Sequence, residues 1–228
     1  MRIKVIIKLI VSLIILGILF WGWQYIHQKG RFPVENVKVE GTYHFVSQSN
    51  LREILLPEIT QGFFNIDVDQ LQNQLALLPG IKSASIRRSW PNTIYVSLTE
   101  YKPIAYFNND QLITENGFIF KPQVMNDLKP MPKFFTTKVH AKLIIKTDEQ
   151  LNQLAKENKL SINQISFIGN QWIVDLSDGL NITLGSEKIN VRFEKLLKVL
   201  PQIMANNKPV QLIDMRYSNG FAVKWAKN

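Results

Sequence analysis

From Leu9 to Trp23 the chain reads LIVSLIILGILFWGW, a run without a single charge. Extended to Val5–Ile26, it is broken only by Lys8 and Gln24. A helix of that length rises about 33 Å, enough to cross a hydrocarbon layer of about 30 Å. Lys8 lies near one end, where its stem can carry the ammonium to the headgroups. Trp21, Trp23 and Tyr25 lie at the other end, where an aromatic belt belongs. The segment is apolar on every face, which argues against an amphipathic core helix. A cleaved leader would need small residues after its apolar core. Here WGWQYIHQKGRF follows, so a retained anchor is expected, with a tail over 1–8 and a span over 9–26.

Arg2, Lys4 and Lys8 precede the span, and Lys29 and Arg31 follow it. That bias places the N-terminus inside and the remaining residues across the membrane. The same five cations, with no acid among residues 1–32, supply more than half of the net charge of +9. Basic charge beside an apolar span fits anionic lipid better than nucleic acid. With no cysteine, disulfides and thiolate metal sites are excluded.

Beyond the span, Val34–Glu40 alternates apolar and polar residues up to Gly41, as a strand with one wet face does. Leu51, Ile54 and Leu55 form a helical stripe that Pro57 is expected to end. Asp67 suits the N-cap of a helix over Val68–Leu78, which Pro79-Gly80 stops. Strands follow at Ala84–Arg88 and Thr93–Glu100, joined by Ser89-Trp90-Pro91-Asn92. The order β-α-α-β-β predicts two helices on one face of a small sheet, within a domain spanning 32–102. From 103 to 228 a second, mostly antiparallel β domain with helices on one side is expected, making the whole α+β. Its strands fall at Ile104–Phe107, Gln111–Ile113, Phe118–Phe120, Ile162–Ile168, Gln171–Leu176, Leu180–Leu184, Val210–Tyr217 and Phe221–Trp225. Residues 121–142 read as irregular, a polar helix covers Asp148–Asn158, and Pro201 is expected to stop or kink a helix over Ile189–Met204.

Several ordered segments carry a resemblance. They are Val37-Lys-Val-Glu-Gly41, Gly62-Phe-Phe-Asn-Ile-Asp67, Leu77-Leu-Pro-Gly-Ile81, Arg87-Arg-Ser-Trp-Pro-Asn-Thr-Ile-Tyr-Val96 and Thr99-Glu-Tyr-Lys-Pro103. Further along stand Leu112–Phe120, Gly169-Asn-Gln-Trp-Ile-Val174, Leu180-Asn-Ile-Thr-Leu-Gly185, Arg192-Phe193 and Ile213–Trp225. In this order they resemble the FtsQ/DivIB family, whose members pair a POTRA domain with a β domain behind a single membrane span. The tail before the span is short for that family. The resemblance implies a scaffold of the bacterial divisome, placed at the septum in the cell inner membrane, with its bulk in the periplasm. It implies FtsB and FtsL as partners of the C-terminal domain, FtsK, FtsW and FtsI nearby, and a part in controlling septal wall assembly.

A sheet edge can take a partner's strand, backbone groups giving affinity and side-chain pockets giving register. The last strand is the natural candidate, because no later element covers it, and Lys224 and Lys227 would guard it against aggregation. Carried onto this chain, the family's docking region is Arg216, Tyr217, Ser218, Asn219, Gly220, Phe221 and Trp225. Asn219-Gly220 equally suits the needs of a tight turn, and Trp225 alternates with Val223 as a core-facing residue would. Asn170, Gln171 and Trp172 form a second candidate patch. Arg87 and Arg88 beside Trp90 form a third, since Arg and Trp are enriched at interface hot spots.

Catalytic signatures are missing. No Ser-x-x-Lys, Gly-x-Ser-x-Gly, Walker A or His-Glu-x-x-His pattern occurs. His27, His44 and His140 have no metal-ligand spacing. Asp67 and Asp69 read as a helix cap and a first-turn acid. No enzyme activity, cofactor, nucleic acid or small-molecule substrate is expected. The alternative is a POTRA-type chaperone or translocation accessory protein, though such proteins usually repeat the module and add a barrel.

Overall fold

The computed structural model describes residues 2–28, 30–41, 43–125, 128–206 and 208–226, without the side chains of Arg2, Ile3 and Val5. Lys29 and Lys227 therefore lie outside the described residues, as does the side chain of Arg2. Helix α1 runs from Arg2 to Ile26, and its stretch Ile6–Ile26 has a mean hydropathy of 2.3 with none of its surface buried by the protein. This helix fits a single-pass membrane protein.

The chain divides into two compact units, Met1–Tyr101 with Gln123–Asn126, and Lys102–Pro122 with Asp127–Asn228. In the first, β1 (Asn36–Glu40), α2 (Gln48–Ile59), α3 (Val68–Ala76), β2 (Ile81–Ser89) and β3 (Thr93–Glu100) give the expected β-α-α-β-β order. The sheet runs β1-β3-β2, with β1 parallel and β2 antiparallel to β3. Strand period decides which side chains turn inward. Ile94, Val96 and Leu98 of β3 and Ala84 and Ile86 of β2 are buried with Leu51, Leu55, Leu71 and Leu75 of the helices. Asp67 caps α3 as expected, its carboxylate accepting from Gln70 N at 2.9 Å. Ser47 caps α2 through Asn50 N at 3.2 Å. Gly41 (φ +112°) is required, because a Cβ there would sit 2.8 Å from the Leu98 carbonyl oxygen.

Glu100, at the end of β3, holds the β1–α2 connection. Both its oxygens accept from His44 N at 2.8 Å, and Oε1 accepts from Phe45 N at 2.9 Å. Its side chain is only 8% exposed, so the carboxylate exchanges water for backbone donors in a shielded place.

The second unit is a nine-stranded sheet. Its strands are β4 (Pro103–Phe107), β5 (Gln111–Thr114), β6 (Ile119–Phe120), β7 (Lys133–Phe135), β8 (Ile162–Ile168), β9 (Gln171–Leu176), β10 (Asn181–Gly185), β11 (Val210–Asp214) and β12 (Ala222–Trp225). They lie in the order β12-β11-β10-β9-β8-β7-β4-β5-β6. Most neighbours are antiparallel, but β4/β7, β7/β8 and β10/β11 are parallel. Two of the parallel pairs are crossovers, through α4 (Ala141–Glu157) and α5 (Ile189–Met204). Such crossovers return a helix across the sheet. Both helices pack into one apolar core with the sheet, and Asn190 donates to Gln150 Oε1 at 2.9 Å between them.

Five expectations change. Pro57 and Pro201 lie inside α2 and α5 and end neither. Each removes one N–H bond, but buried residues continue on both sides: Leu55 and Glu58 around Pro57, Leu200 and Ile203 around Pro201. Helix α4 begins at Ala141, seven residues before Asp148, because Ala141, Ile144 and Ile145 extend its buried stripe. The stretch expected to be irregular contributes β7, where Phe134 is fully buried between β4 and β8. The last two strands are also shorter than expected, leaving Met215–Phe221 as a connection.

Two outcomes test this packing. Glu100→Ala removes the acceptor of two backbone N–H groups, so chemical denaturation should show a loss of about 2 kcal/mol. Burial raises the Asp148 carboxyl to about 6, against the lowering effect of its hydrogen bond from Asn152. A carboxyl whose folded value exceeds its unfolded one costs stability as pH rises from about 4 through about 6. Asp148→Asn keeps an acceptor for Asn152 and should raise stability at pH 7.5 by about 1 kcal/mol, given the residual exposure of the site, with no gain at pH 4.

Candidate partner-binding surface

Strand β12 ends the large sheet, and among the described residues no strand pairs with its outer side. It is antiparallel to β11, in register Ile213↔Val223 and Asp214↔Ala222. Val223 and Trp225 lean on the core, while Ala222 and Lys224 are exposed. Trp225 is thus partly a packing residue, half-covered at the open edge.

The connection before β12 is not a tight turn. A two-residue turn of the hairpin type needs positive φ at one or both central positions, and neither Asn219 nor Gly220 has it. Met215–Phe221 forms a longer loop held by charge. The Arg216 guanidinium grips the Asp214 carboxylate, Nε to Oδ1 at 2.9 Å and Nη2 to Oδ2 at 2.6 Å, while Arg216 N donates to Oδ1 at 3.0 Å. The Arg216 hydrogen bonds hold Asp214 below the usual carboxylate range, although burial opposes them. Arg216, named with the docking region, is therefore already paired within its own loop.

A second arginine completes the arrangement. From the first turn of α5, Arg192 donates through Nη1 to Leu184 O at 2.6 Å and through Nη2 to Arg216 O at 3.4 Å. The end of β10, the start of α5 and the loop meet at this side chain. Gly185 (φ +80°) makes the room, since a Cβ there would fall 2.6 Å from Arg192 Nη1. Met215 N donates to Thr183 O at 2.8 Å, and Met215 itself is buried. With its base fixed, the loop presents Tyr217 at 59% exposure and Phe221 at 39%, with Ser218, Asn219 and Gly220 open between them.

These residues form one wall of a groove of about 780 Å³, and α5 forms the other. The helix wall carries Lys188, Val191, Arg192, Lys195, Lys198 and Val199. Lys198 is paired with Glu194 at 2.8 Å, and Glu187 stands at the rim. The groove is positively charged with apolar ground between the cations, which suits a chain carrying both acids and apolar side chains. Sequence reasoning missed this helix wall. Its signal was present, because positions 188, 191, 192, 195, 198 and 199 recur at helical spacing.

The other candidates separate. Asn170 (φ +60°) and Gly169 (φ +57°) form the tight β8–β9 turn. Asn170 is exposed and Gln171 half-buried, but Trp172 is 4% exposed and stacks on Phe167 at 4.5 Å. Trp172 is thus a core residue and lends no contact surface to that patch. Arg87 and Arg88 point to opposite faces of β2. Arg87 lies over the Tyr95 ring at 5.1 Å. Arg88 reaches the Ile66 carbonyl oxygen on the helix side, where Trp90 rests on Phe63 and Phe64. The three do not form one patch. Among the described residues no cluster of His, Asp and Glu is placed to hold a metal ion.

Comparison with known proteins agrees with this architecture. Residues 32–101 match the POTRA domain, FtsQ-type, and residues 105–216 match the C-terminal domain of cell division protein FtsQ/DivIB. The second match ends at Arg216, just before the exposed loop residues. A cell division protein FtsQ from Coxiella burnetii is 29% identical, over 98% of this chain and 93% of its own length. One from Haemophilus influenzae is 30% identical, over 92% of this chain and 84% of its own length. One from Xanthomonas campestris is 28% identical, over 85% and 70%. With a POTRA unit, a mixed β unit and an apolar helix in the same order, the chain belongs to the FtsQ/DivIB family of cell division proteins.

Proposed function

We propose that this chain is a non-catalytic scaffold of the divisome, held by α1 in the cell inner membrane with its N-terminus in the cytoplasm and both folded units in the periplasm. It gathers division proteins at the septum and helps to control septal wall assembly. The β12 edge and the groove beside it form the docking site for FtsB, with FtsL bound alongside, and FtsK, FtsW and FtsI are further neighbours. The single observation that carries this reading is an open strand edge adjoining a basic, partly apolar groove whose loop wall is fixed from within.

Each half of the site does a different job. An added strand forms backbone hydrogen bonds with β12 at about 1 kcal/mol net apiece. That is too little alone to offset the loss of freedom on association. Tyr217 and Phe221 add aromatic anchors at the point where the strand turns into the groove, and such anchors dominate interface energies. Lys188, Arg192 and Lys195 then select an acidic continuation of the same partner and speed its encounter. Lys224, exposed on the edge, disfavours pairing with a second copy of this chain.

Tyr217→Lys should weaken binding of a soluble FtsB fragment at least about tenfold in a titration, the scale of losing one anchor. The thermal melting of the variant should match wild type, because the ring is exposed. Lys195→Glu should also weaken binding and flatten its dependence on salt. Unchanged affinity in both variants would place the partner elsewhere.

A further inference from the structure

We propose that the aromatic corner of the POTRA domain formed by Phe32, Phe64 and Trp90 lies in the headgroup layer of the membrane that holds α1. This rests on α1 spanning that membrane and goes on to fix how the first unit meets the lipid.

Trp90 is 72% exposed, yet its ring rests against Phe63 at 5.4 Å and Phe64 at 5.3 Å. Phe32 extends the cluster, edge-on to Phe64 at 5.1 Å and itself 37% exposed. Phe63 is buried and ties the cluster to the core of the unit. The strand-face chemistry of the fold does not require an indole here, because the β2–β3 connection closes through the Ser89↔Thr93 pair.

The chain leaving the membrane helix is bonded to this same corner. His27, one residue beyond the end of α1, accepts through its carbonyl from Asn65 Nδ2 at 3.1 Å. Phe32 accepts through its carbonyl from Phe63 N at 2.7 Å. Gly62 (φ +98°) allows that approach, since a Cβ there would sit 3.2 Å from the Phe32 oxygen. Both ends of the exit segment are thus fastened to the α2–α3 connection that carries Phe63 and Phe64. The corner can depart from the end of the span by only a few residues' reach, and a headgroup layer is about 6 Å deep on each side. Tryptophan favours that layer because it offers an apolar body and an N–H donor together.

Charge at the corner agrees. Arg31 lies over the Tyr25 ring at 3.4 Å, at the aromatic end of α1, and Arg88 stands beside Ile66. Both suit anionic headgroups. Of the acids nearby, Glu35 accepts from the Asn92 amide at 2.5 Å and Asp67 accepts from Gln70 N at 2.9 Å in capping α3.

The test uses the full chain reconstituted in vesicles of zwitterionic and anionic phospholipid, with a share of lipid brominated near the headgroup end of its acyl chains. Bromine quenches tryptophan emission at that depth. Trp21 and Trp23 of α1 are quenched with the span, whereas Trp172 and Trp225 belong to the second unit's core and edge. The emission that survives quenching is compared between wild type and Trp90→Phe, after matching thermal melts show that both fold. Equal surviving emission means that Trp90 was already quenched, as proposed. A drop in the variant by the share of one tryptophan means that Trp90 faces water, and overturns the proposal while α1 remains embedded. No quenching in either protein places α1 itself outside the bilayer and overturns the anchor together with the corner.

Discussion

The carboxylate of Asp214 sits at the last residue of β11, 8% exposed, and everything presented beyond it depends on how that charge is satisfied. A buried carboxylate without donors would be costly. Here it is gripped by the side chain and backbone of Arg216, and Arg192 holds the next carbonyl. The loop to β12 therefore leaves the sheet in a set direction without a tight turn. Gly185 is the steric condition for this arrangement, and the parallel β10–α5–β11 crossover is its topological condition. The crossover brings the N-terminal turn of α5 to the end of β10, so one arginine can serve helix, strand and loop.

Two sheets of different size meet the same problem of open edges. In the POTRA unit, β1 and β2 are both edges. In the large sheet, β6 closes one side with only two residues, and β12 closes the other with four. Short edges limit uncontrolled pairing. A four-residue edge with one exposed lysine is weak as a general template. On the proposed docking mode, selectivity comes from joining a sequence-indifferent backbone contact to a sequence-reading charged wall.

Much of the fold was legible in the sequence because the signals were local. The alternation in Thr93–Glu100 and the Asp67 cap each act within a few residues. The apolar helix α1 was legible from the length and composition of its run alone. What escaped depended on distant partners. β7 is three residues long and exists because β4 and β8 flank it. Pro57 read as a stop and Pro201 as a stop or a kink, but both helices continue past them, with buried residues on both sides of each to set against one lost hydrogen bond. At the candidate site, Tyr217 and Phe221 were named only through the family resemblance, while the pairing of Arg216 with Asp214 and the helix wall of Lys188, Arg192 and Lys195 required the fold to bring them together. Trp172 was misplaced because its strand alternates, and only the sheet shows which face is covered.

The proposed docking requires that a partner add a strand to β12. Amide hydrogen exchange of Ala222–Trp225, followed in the full chain in detergent with and without a saturating soluble FtsB fragment, reads that pairing residue by residue. Backbone pairing predicts that amides on the outer side of this strand, fast to exchange alone, become strongly protected on binding. Saturated binding that leaves their exchange rates unchanged would show that the edge stays open in the complex, and would rule out strand addition at β12.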